Sequence, residues 1–207
     1  MSFSWVIEMN VIHDYIITKK LNLDLGKLLV SSQKMYDLVD KNFNNPFFNG
    51  AYADNSNKIS LTTKLYNNYN IFFYSFEGLH ELYGEIQKMF HDCCIDEEKY
   101  YIQAWLNIYK EGQYIDWHNH WIDTENSWHG YFCVECEPSK TTYRIPGVKE
   151  EVDIISQNNL LVMSRSAGDT HRTWPWEHAD RDRITIAFDI LPRIPELNEW
   201  PNHWMPI

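Results

Sequence analysis

Three histidines are spaced so that they could bind one metal ion. His118 and His120 lie in the run from Tyr114 to Trp121, and His171 follows later in the chain. Side chains at i and i+2 of an extended strand share a face, so the first two imidazoles would be neighbours. If His171 adds a third ligand from another strand, the ion keeps open positions, as catalytic metal sites do. The alternative is that His118 and His120 are surface or interface histidines.

The run around His118 predicts a strand from Tyr114 to His120 with two different faces. Alternation gives one face of Tyr114, Asp116, His118 and His120, and a second face of Ile115, Trp117, Asn119 and Trp121.

Six of the nine tryptophans lie in or beside the proposed metal strands: Trp105, Trp117, Trp121, Trp128, Trp174 and Trp176. We interpret them as the wall of a water-poor pocket. The loop Trp174–His178 would then bound the substrate or, alternatively, pack as an ordinary hairpin.

A later segment places a cation and a hydroxyl on one face of a strand. The segment Arg183–Ile190 has an apolar face, and Arg183, Thr185, Ala187 and Asp189 form the other face. A buried guanidinium is costly when it is unpaired. A ligand carboxylate would accept a two-pronged hydrogen bond from Arg183 and a further bond from Thr185. The alternative is an ion pair between Arg183 and Asp182 or Asp189 at the rim.

These elements stand in an order that resembles the iron(II)- and 2-oxoglutarate-dependent oxygenases. The closest resemblance is to the branch that has a His-x-His element. The matching elements are Trp105-x-Asn107 with Gly112, His118-x-His120, Gly130-Tyr131-Phe132-Cys133-Val134, Tyr143-Arg144-Ile145-Pro146, His171 and Arg183-x-Thr185. The resemblance covers about Tyr101 to Leu191, which is less than half of the chain, and the residues before it match no specific pattern.

The resemblance implies a fold and a set of site residues. The fold would be a double-stranded β-helix, which is a cupin-like jelly roll. His118 and His171 would bind iron, and Arg183 would bind the distal carboxylate of 2-oxoglutarate with help from Thr185. Tyr131 and Asn107 are further candidates for the co-substrate pocket. The family's usual Asp or Glu ligand is replaced here by His120. Three possibilities stay open: a three-histidine centre, a carboxylate from elsewhere, or a His120 that is not a ligand.

The activity that the resemblance implies is hydroxylation, or demethylation, with iron(II), 2-oxoglutarate and O2. The formal net charge of -11, from 18 Lys and Arg against 29 Asp and Glu, argues against a nucleic-acid substrate. A peptidyl or amino-acid side chain is therefore the favoured substrate. Two other interpretations remain: a cupin-like three-histidine metalloenzyme without 2-oxoglutarate, and a non-catalytic jelly-roll module that binds a partner.

The elements that must position these residues are mainly strands. The chain has 207 residues and 44% hydrophobic content, which predicts one globular domain. We expect a mixed helical and strand part at 1–97, a β core at 98–191 and an irregular Pro- and Trp-rich tail at 192–207. Helices are predicted at Gly26–Asp40 and Glu77–Asp92. Beyond the Tyr114–His120 segment, strands are predicted at Tyr101–Tyr109, Gly130–Cys136, Thr141–Ile145, Val152–Ile155, Leu160–Met163, Asp169–Thr173 and Arg183–Ile190.

The remaining features concern cysteines and targeting. We expect Cys93, Cys94, Cys133 and Cys136 to be reduced thiols without a metal, with Cys133 and Cys136 on opposite faces of a strand. There is no apolar run of about 18 residues, which excludes a membrane span. The first ten residues have neither a basic start nor an apolar core, so we expect no signal peptide and a cytoplasmic protein.

Overall fold

A computed structural model of the chain describes residues 9–12, 15–45, 58–94, 98–121, 126–166, 168–194 and 203–207. The polar surface loop that the sequence predicts at Asn49–Asn57 lies outside the described residues. The described residues include three α-helices: α1 (Leu25–Phe43), α2 (Leu61–Lys64) and α3 (Leu79–Cys93). The strands are β1 (Met9–Ile12), β2 (Ile16–Lys20), β3 (Tyr101–Tyr109), β4 (Trp128–Glu135), β5 (Lys140–Arg144), β6 (Val152–Ile155), β7 (Leu160–Arg165), β8 (Thr170–Thr173), β9 (Arg183–Leu191) and β10 (Met205–Pro206).

The strands form two antiparallel sheets. The larger sheet has the order β1-β2-β7-β4-β9-β3-β10, and the smaller sheet has the order β6-β5-β8. Strands β3, β4 and β9 of the larger sheet and β5 and β8 of the smaller sheet line one common cavity. This is the mainly β jelly roll that the sequence predicts, with the helices outside it.

Most predicted elements are confirmed within a few residues. The bounds of β3 and β6 are those predicted, and β9 is one residue longer than expected. Helix α1 begins after Asp24, whose carboxylate accepts a hydrogen bond from the Lys27 backbone N–H at 3.2 Å, a typical N-cap. It continues past the predicted end at Asp40 to Phe43, because the apolar stripe that buries Leu28, Met35 and Val39 extends along it.

The prediction of a strand from Tyr114 to His120 is wrong. Only His118 in this segment forms a β-bridge, through two backbone hydrogen bonds with His171 of 3.1 and 2.9 Å. The Asp116 carboxylate accepts a hydrogen bond from the Trp117 backbone N–H at 2.8 Å, and this local bond competes with a strand ladder. The expected alternation fails too: Ile115 lines the cavity together with His118 and His120, whereas Asp116 is exposed.

Two further expectations are corrected by pairings within the larger sheet. The tail is not irregular throughout, because Met205 of β10 pairs with Ile102 of β3. Cys136 lies outside β4, which ends at Glu135, so strand alternation does not define the relative orientation of Cys133 and Cys136. The register of β4 shifts between Cys133 and Glu135, and such an irregularity breaks strict alternation.

The first part of the chain adds to the same sheet as the core. Strand β2 pairs with β7, and β1 pairs with β2 at the sheet edge. The division of the chain at residues 97 and 191 stays a prediction. None of the described helices combines the length and the apolar character needed to cross a bilayer.

Candidate metal centre and anion pocket

The seven residues predicted to form a site all line one cavity between the two sheets. They are Asn107, His118, His120, Tyr131, His171, Arg183 and Thr185. Asn107 comes from β3, Tyr131 from β4, His171 from β8, and Arg183 and Thr185 from β9. The bridge between His118 and His171 fixes the bent segment that holds the first two histidines against β8. The fold therefore brings together groups that are far apart in sequence.

His118, His120 and His171 are close enough to share one ion. Their ring centroids are 4.2 Å apart for His118 and His171, 5.1 Å for His118 and His120, and 5.2 Å for His120 and His171. One nitrogen from each ring lies within 4.8 Å of the nitrogens from the other two. Imidazole nitrogens suit iron(II) as well as zinc, copper and nickel. The donor set thus fits a divalent transition metal.

Oxygen atoms close to Nδ1 leave Nε2 of two histidines free for a metal. Nδ1 of His118 lies 2.8 Å from the Asp116 carbonyl oxygen, and Nδ1 of His120 lies 2.8 Å from Oδ1 of Asp189. A carbonyl or carboxylate oxygen only accepts, so each Nδ1 carries the proton and each Nε2 presents a lone pair. Nδ1 of His171 is buried and has no hydrogen-bond partner among the described residues. A carbonyl or carboxylate oxygen beside Nδ1, as at His118 and His120, is typical of histidines that ligate metals.

The protonation of the three rings is set by their surroundings. Burial, together with the neighbouring His120 ring, lowers the pKa of His118 to about 3. Burial and then the His118 ring lower the pKa of His171 well below its usual value. At His120 burial acts in the same direction, but the Asp189 carboxylate outweighs it and raises the pKa. His118 and His171 are therefore neutral at physiological pH, as metal ligands must be.

A second group beside the first was missed by the sequence reasoning. His129, Asp169 and His171 also have ligand atoms within 4.8 Å of one another. Nε2 of His129 lies 2.8 Å from Oδ2 of Asp169, which also accepts a hydrogen bond from the Ser164 hydroxyl at 3.1 Å. Burial raises the pKa of Asp169, but His129 more than offsets this and the pKa is lowered. His129 precedes Tyr131 by two residues on β4, and that alternation was the available signal.

Arg183 supplies a buried positive charge in the same cavity. Its side chain is 2% exposed, and Nε donates a hydrogen bond to the Ser139 hydroxyl at 3.1 Å. Among the described residues no carboxylate forms an ion pair with it. The alternative of a rim pair with Asp189 is wrong, because Asp189 contacts His120 and accepts from Nε1 of Trp121 at 2.7 Å. The guanidinium therefore lies in the cavity without a carboxylate partner among the described residues.

The smaller candidates surround the same anion pocket. Thr185 is buried and pairs in register with Asn107 on β3. The buried Tyr131 hydroxyl has no hydrogen-bond partner in the described part of the chain, so it is a free donor. Asn107 Oδ1 accepts from the Thr63 hydroxyl at 2.6 Å. Thr63 belongs to α2, which the sequence reasoning did not connect with the site.

The expected wall of tryptophans is confirmed for one residue. Of the six, Trp105 lines the cavity, and its ring is stacked on His120 with centroids 6.0 Å apart. Trp176 is buried behind the wall with Tyr109 and Ile115, and its Nε1 donates to the Arg181 carbonyl at 2.7 Å. Trp174 is 41% exposed. The loop after β8 therefore packs against the site from outside.

Comparisons with known proteins give the fold. No protein-family model and no curated protein sequence matches this chain. AviO1 from Streptomyces viridochromogenes Tue57 is 10% identical, with a TM-score of 0.58 over 90% of this chain and 93% of AviO1. The non-heme alpha ketoglutarate dependent carbocyclase SnoK from nogalamycin biosynthesis is 7% identical, with a TM-score of 0.57 over 84% of this chain and 78% of SnoK.

The epimerase SnoN, from the same biosynthesis and also named as non-heme and alpha ketoglutarate dependent, is 7% identical. Its TM-score is 0.56, over 85% of this chain and 76% of SnoN. At such identities the likeness establishes the jelly-roll fold. The kind of enzyme named for SnoK and SnoN is the kind that the sequence pattern indicates, since alpha ketoglutarate is 2-oxoglutarate.

Proposed function

We propose that the protein is an iron(II)- and 2-oxoglutarate-dependent oxygenase in which His118, His120 and His171 hold the metal. The observation that carries the proposal is one cavity with two complementary halves. One half has three imidazoles that fit a divalent metal, and the other has the buried Arg183 without a carboxylate partner. A dicarboxylate that reaches from the metal to the guanidinium satisfies both halves.

Arg183 and Thr185 bind the distal carboxylate of 2-oxoglutarate in this proposal. The guanidinium provides charge-assisted hydrogen bonds, and Thr185 provides a hydroxyl donor from the same face of β9. Tyr131, whose buried hydroxyl is free, donates to the same molecule, and Asn107 orients it from β3. The cupin-like alternative without 2-oxoglutarate leaves the charge of Arg183 uncompensated, which is costly for a buried ion.

The remaining residues of the site hold the metal ligands and exclude water. The Asp116 carbonyl and the Asp189 carboxylate fix the rings of His118 and His120. Trp105 and Ile115 are buried apolar walls, which strengthen the electrostatic interactions inside the cavity. Iron(II) bound there, with O2 and 2-oxoglutarate, supplies the oxidising chemistry for hydroxylation, or for demethylation, of a substrate. A peptidyl or amino-acid side chain is the proposed substrate class.

Thermal unfolding of the purified protein under anaerobic conditions tests this function. A ligand at one hundred times its Kd stabilises the folded state by about 2.7 kcal/mol, which is about 5–10 °C in Tm for a chain of this size. We expect iron(II) to raise Tm, and 2-oxoglutarate to raise it further only when the metal is present. Arg183→Ala should abolish the second increase and keep the first. If neither iron(II) nor 2-oxoglutarate changes Tm, the proposal fails.

A further inference from the structure

The described part of the tail, residues 203–207, is attached to the larger sheet. Met205 pairs with Ile102 of β3. On the other side of Trp204, the His203 carbonyl oxygen accepts a hydrogen bond from the Asn70 side chain at 2.6 Å. These contacts hold Trp204 against the body of the protein, where its side chain is buried. The proposed oxygenase chemistry assigns no role to this part of the chain.

Trp204 packs against Trp121, the residue that directly follows His120. The two ring centroids are 5.9 Å apart, and the ring planes make an angle of 72°. This edge-to-face arrangement is favourable for aromatic pairs, because the positive edge of one ring meets the negative face of the other. The contact therefore joins the tail to the bent segment that carries two of the candidate metal ligands.

Trp121 is held in a strained backbone conformation. Its φ angle is +46°, in the left-handed region that residues with a Cβ rarely adopt. Such a conformation persists only when the surrounding structure fixes it. The Ser127 hydroxyl donates to the Trp121 carbonyl oxygen at 3.2 Å, and Trp121 Nε1 donates to Oδ2 of Asp189 at 2.7 Å. Together with the packing of Trp204, these contacts fix the position of the indole.

The Asp189 carboxylate connects the indole of Trp121 to His120. Oδ2 of Asp189 accepts from Trp121, and Oδ1 lies 2.8 Å from Nδ1 of His120. Asp189 is 1% exposed, so both carboxylate oxygens depend on these partners. Displacement of the indole would leave one buried oxygen without its donor, which is costly, and the carboxylate would move to recover a partner. The orientation of the His120 ring therefore depends on the position of Trp121.

We propose that Trp204 is a positioning residue for the metal centre: by packing against Trp121 it fixes Asp189 and, through Asp189, the ring of His120. The proposal rests on the proposed function, because it takes His120 as a metal ligand. The outer partners of metal-ligating histidines orient the ring, and loss of one costs about 10- to 100-fold in metal affinity. Trp204 acts from further away than such a partner, so we expect the lower end of this range.

Calorimetric titration of cobalt(II) into the full-length protein tests the effect on the metal. Trp204→Ala should bind cobalt(II) about tenfold more weakly than the wild type. Trp204→Phe keeps an aromatic ring against Trp121 and should recover most of this loss. Trp174→Ala is the matched control and should bind as the wild type does, because Trp174 is exposed and does not line the cavity. If Trp204→Ala lowers Tm but keeps the wild-type affinity, Trp204 is only structural and the proposal is overturned.

The NMR signal of the Trp121 indole N–H tests the positioning in metal-free protein. Its hydrogen bond to a buried carboxylate should shift the signal downfield and slow its hydrogen exchange, and Trp121→Phe assigns the signal by its loss. Trp204→Ala should reverse both effects, whereas Trp174→Ala should not. Should Trp204→Ala fail to fold, Trp204→Leu keeps the apolar bulk without the ring and replaces it in both experiments.

The two experiments separate this proposal from the proposed function. An unchanged Trp121 signal in the Trp204 variant overturns the positioning role, whatever the affinity for cobalt(II). If the signal changes but the wild type does not bind cobalt(II), the proposed function fails, and the link from Trp204 to Asp189 stands.

Discussion

The Asp189 carboxylate lies 2.8 Å from Nδ1 of His120, the imidazole that stands where an acidic metal ligand is usual for the pattern. Asp189 is buried, and its other oxygen accepts from Nε1 of Trp121 at 2.7 Å. The carboxylate is thus present, but it contacts the proposed ligand His120 and would not itself bind the proposed metal. It fixes the tautomer of His120 and raises the electron density of the ring, as in known carboxylate–histidine–metal arrangements.

Asp189→Asn should weaken metal binding while the protein stays folded. The amide keeps the size of the side chain but loses the charge, and it no longer enforces the proton on Nδ1 of His120. Loss of such a partner costs about 10- to 100-fold in metal affinity. Calorimetric titration with cobalt(II) measures the change. Asp153→Asn removes a charge from an exposed pair with Lys140 and is the control. Unchanged affinity in Asp189→Asn would show that His120 does not depend on this carboxylate.

Two variants, one in each set of candidate metal ligands, distinguish between the two sets. His120→Ala removes a ligand from the first group, and we expect cobalt(II) affinity to fall by at least about 100-fold on the scale of such sites. His129→Gln acts on the second group but keeps a donor for Asp169, so it should bind cobalt(II) within about threefold of the wild type. The opposite order of affinities would place the ion between His129, Asp169 and His171.

Arg183→Lys should separate charge from geometry in the anion pocket. Lysine keeps the positive charge but loses the planar guanidinium, so it cannot form two parallel hydrogen bonds with a carboxylate. A charged hydrogen bond contributes about 1.5–3 kcal/mol, which corresponds to about 10- to 100-fold in affinity. Titration of 2-oxoglutarate into the cobalt(II)-loaded variant measures it. Arg144→Lys alters an exposed ion pair with Glu151 and should have no effect. A variant Arg183→Lys with wild-type affinity would contradict the proposed contact.

The sequence predicted those parts of the molecule that depend on local pattern. Residue content identified β3 and alternation identified β9, and the family resemblance joined His118, His171 and Arg183 into one set, which the cavity unites. The parts that depend on distant partners could not be read in this way. Thr63 reaches Asn107 from a helix with no periodic signal of its own, and Met205 becomes a strand residue only by pairing with β3.

The strand prediction for the segment Tyr114–His120 failed for a related reason. The run Tyr114–His120 has strand-like alternation, yet the local hydrogen bond at Asp116 and the single bridge from His118 to His171 override it. The His129–Asp169 pair was missed because its two residues lie in different segments of the sequence. Each residue is unremarkable in its own segment, and the pair exists because β4 and the turn before β8 meet inside the roll.

Gly130→Ala should strongly destabilise the fold, because the strand next to the site has no room for a methyl group. A Cβ at Gly130 would lie 2.3 Å from the Val162 carbonyl oxygen and 2.4 Å from Cζ of Phe188. Neither the backbone of β7 nor the buried Phe188 ring can yield easily, and overpacking of this kind costs about 1–3 kcal/mol or more. Gly84→Ala is the matched control, since a Cβ there meets nothing within 4 Å.

Gly84 is an exposed position in helix α3, where replacing glycine with alanine should add about 0.5–1 kcal/mol of stability. The two variants therefore make the same chemical change and are expected to shift stability in opposite directions. Urea unfolding monitored by tryptophan fluorescence gives the free energy of unfolding for each. A midpoint for Gly130→Ala that equals or exceeds the wild-type midpoint would show that β4, β7 and β9 are not packed as closely as described beside the proposed metal centre.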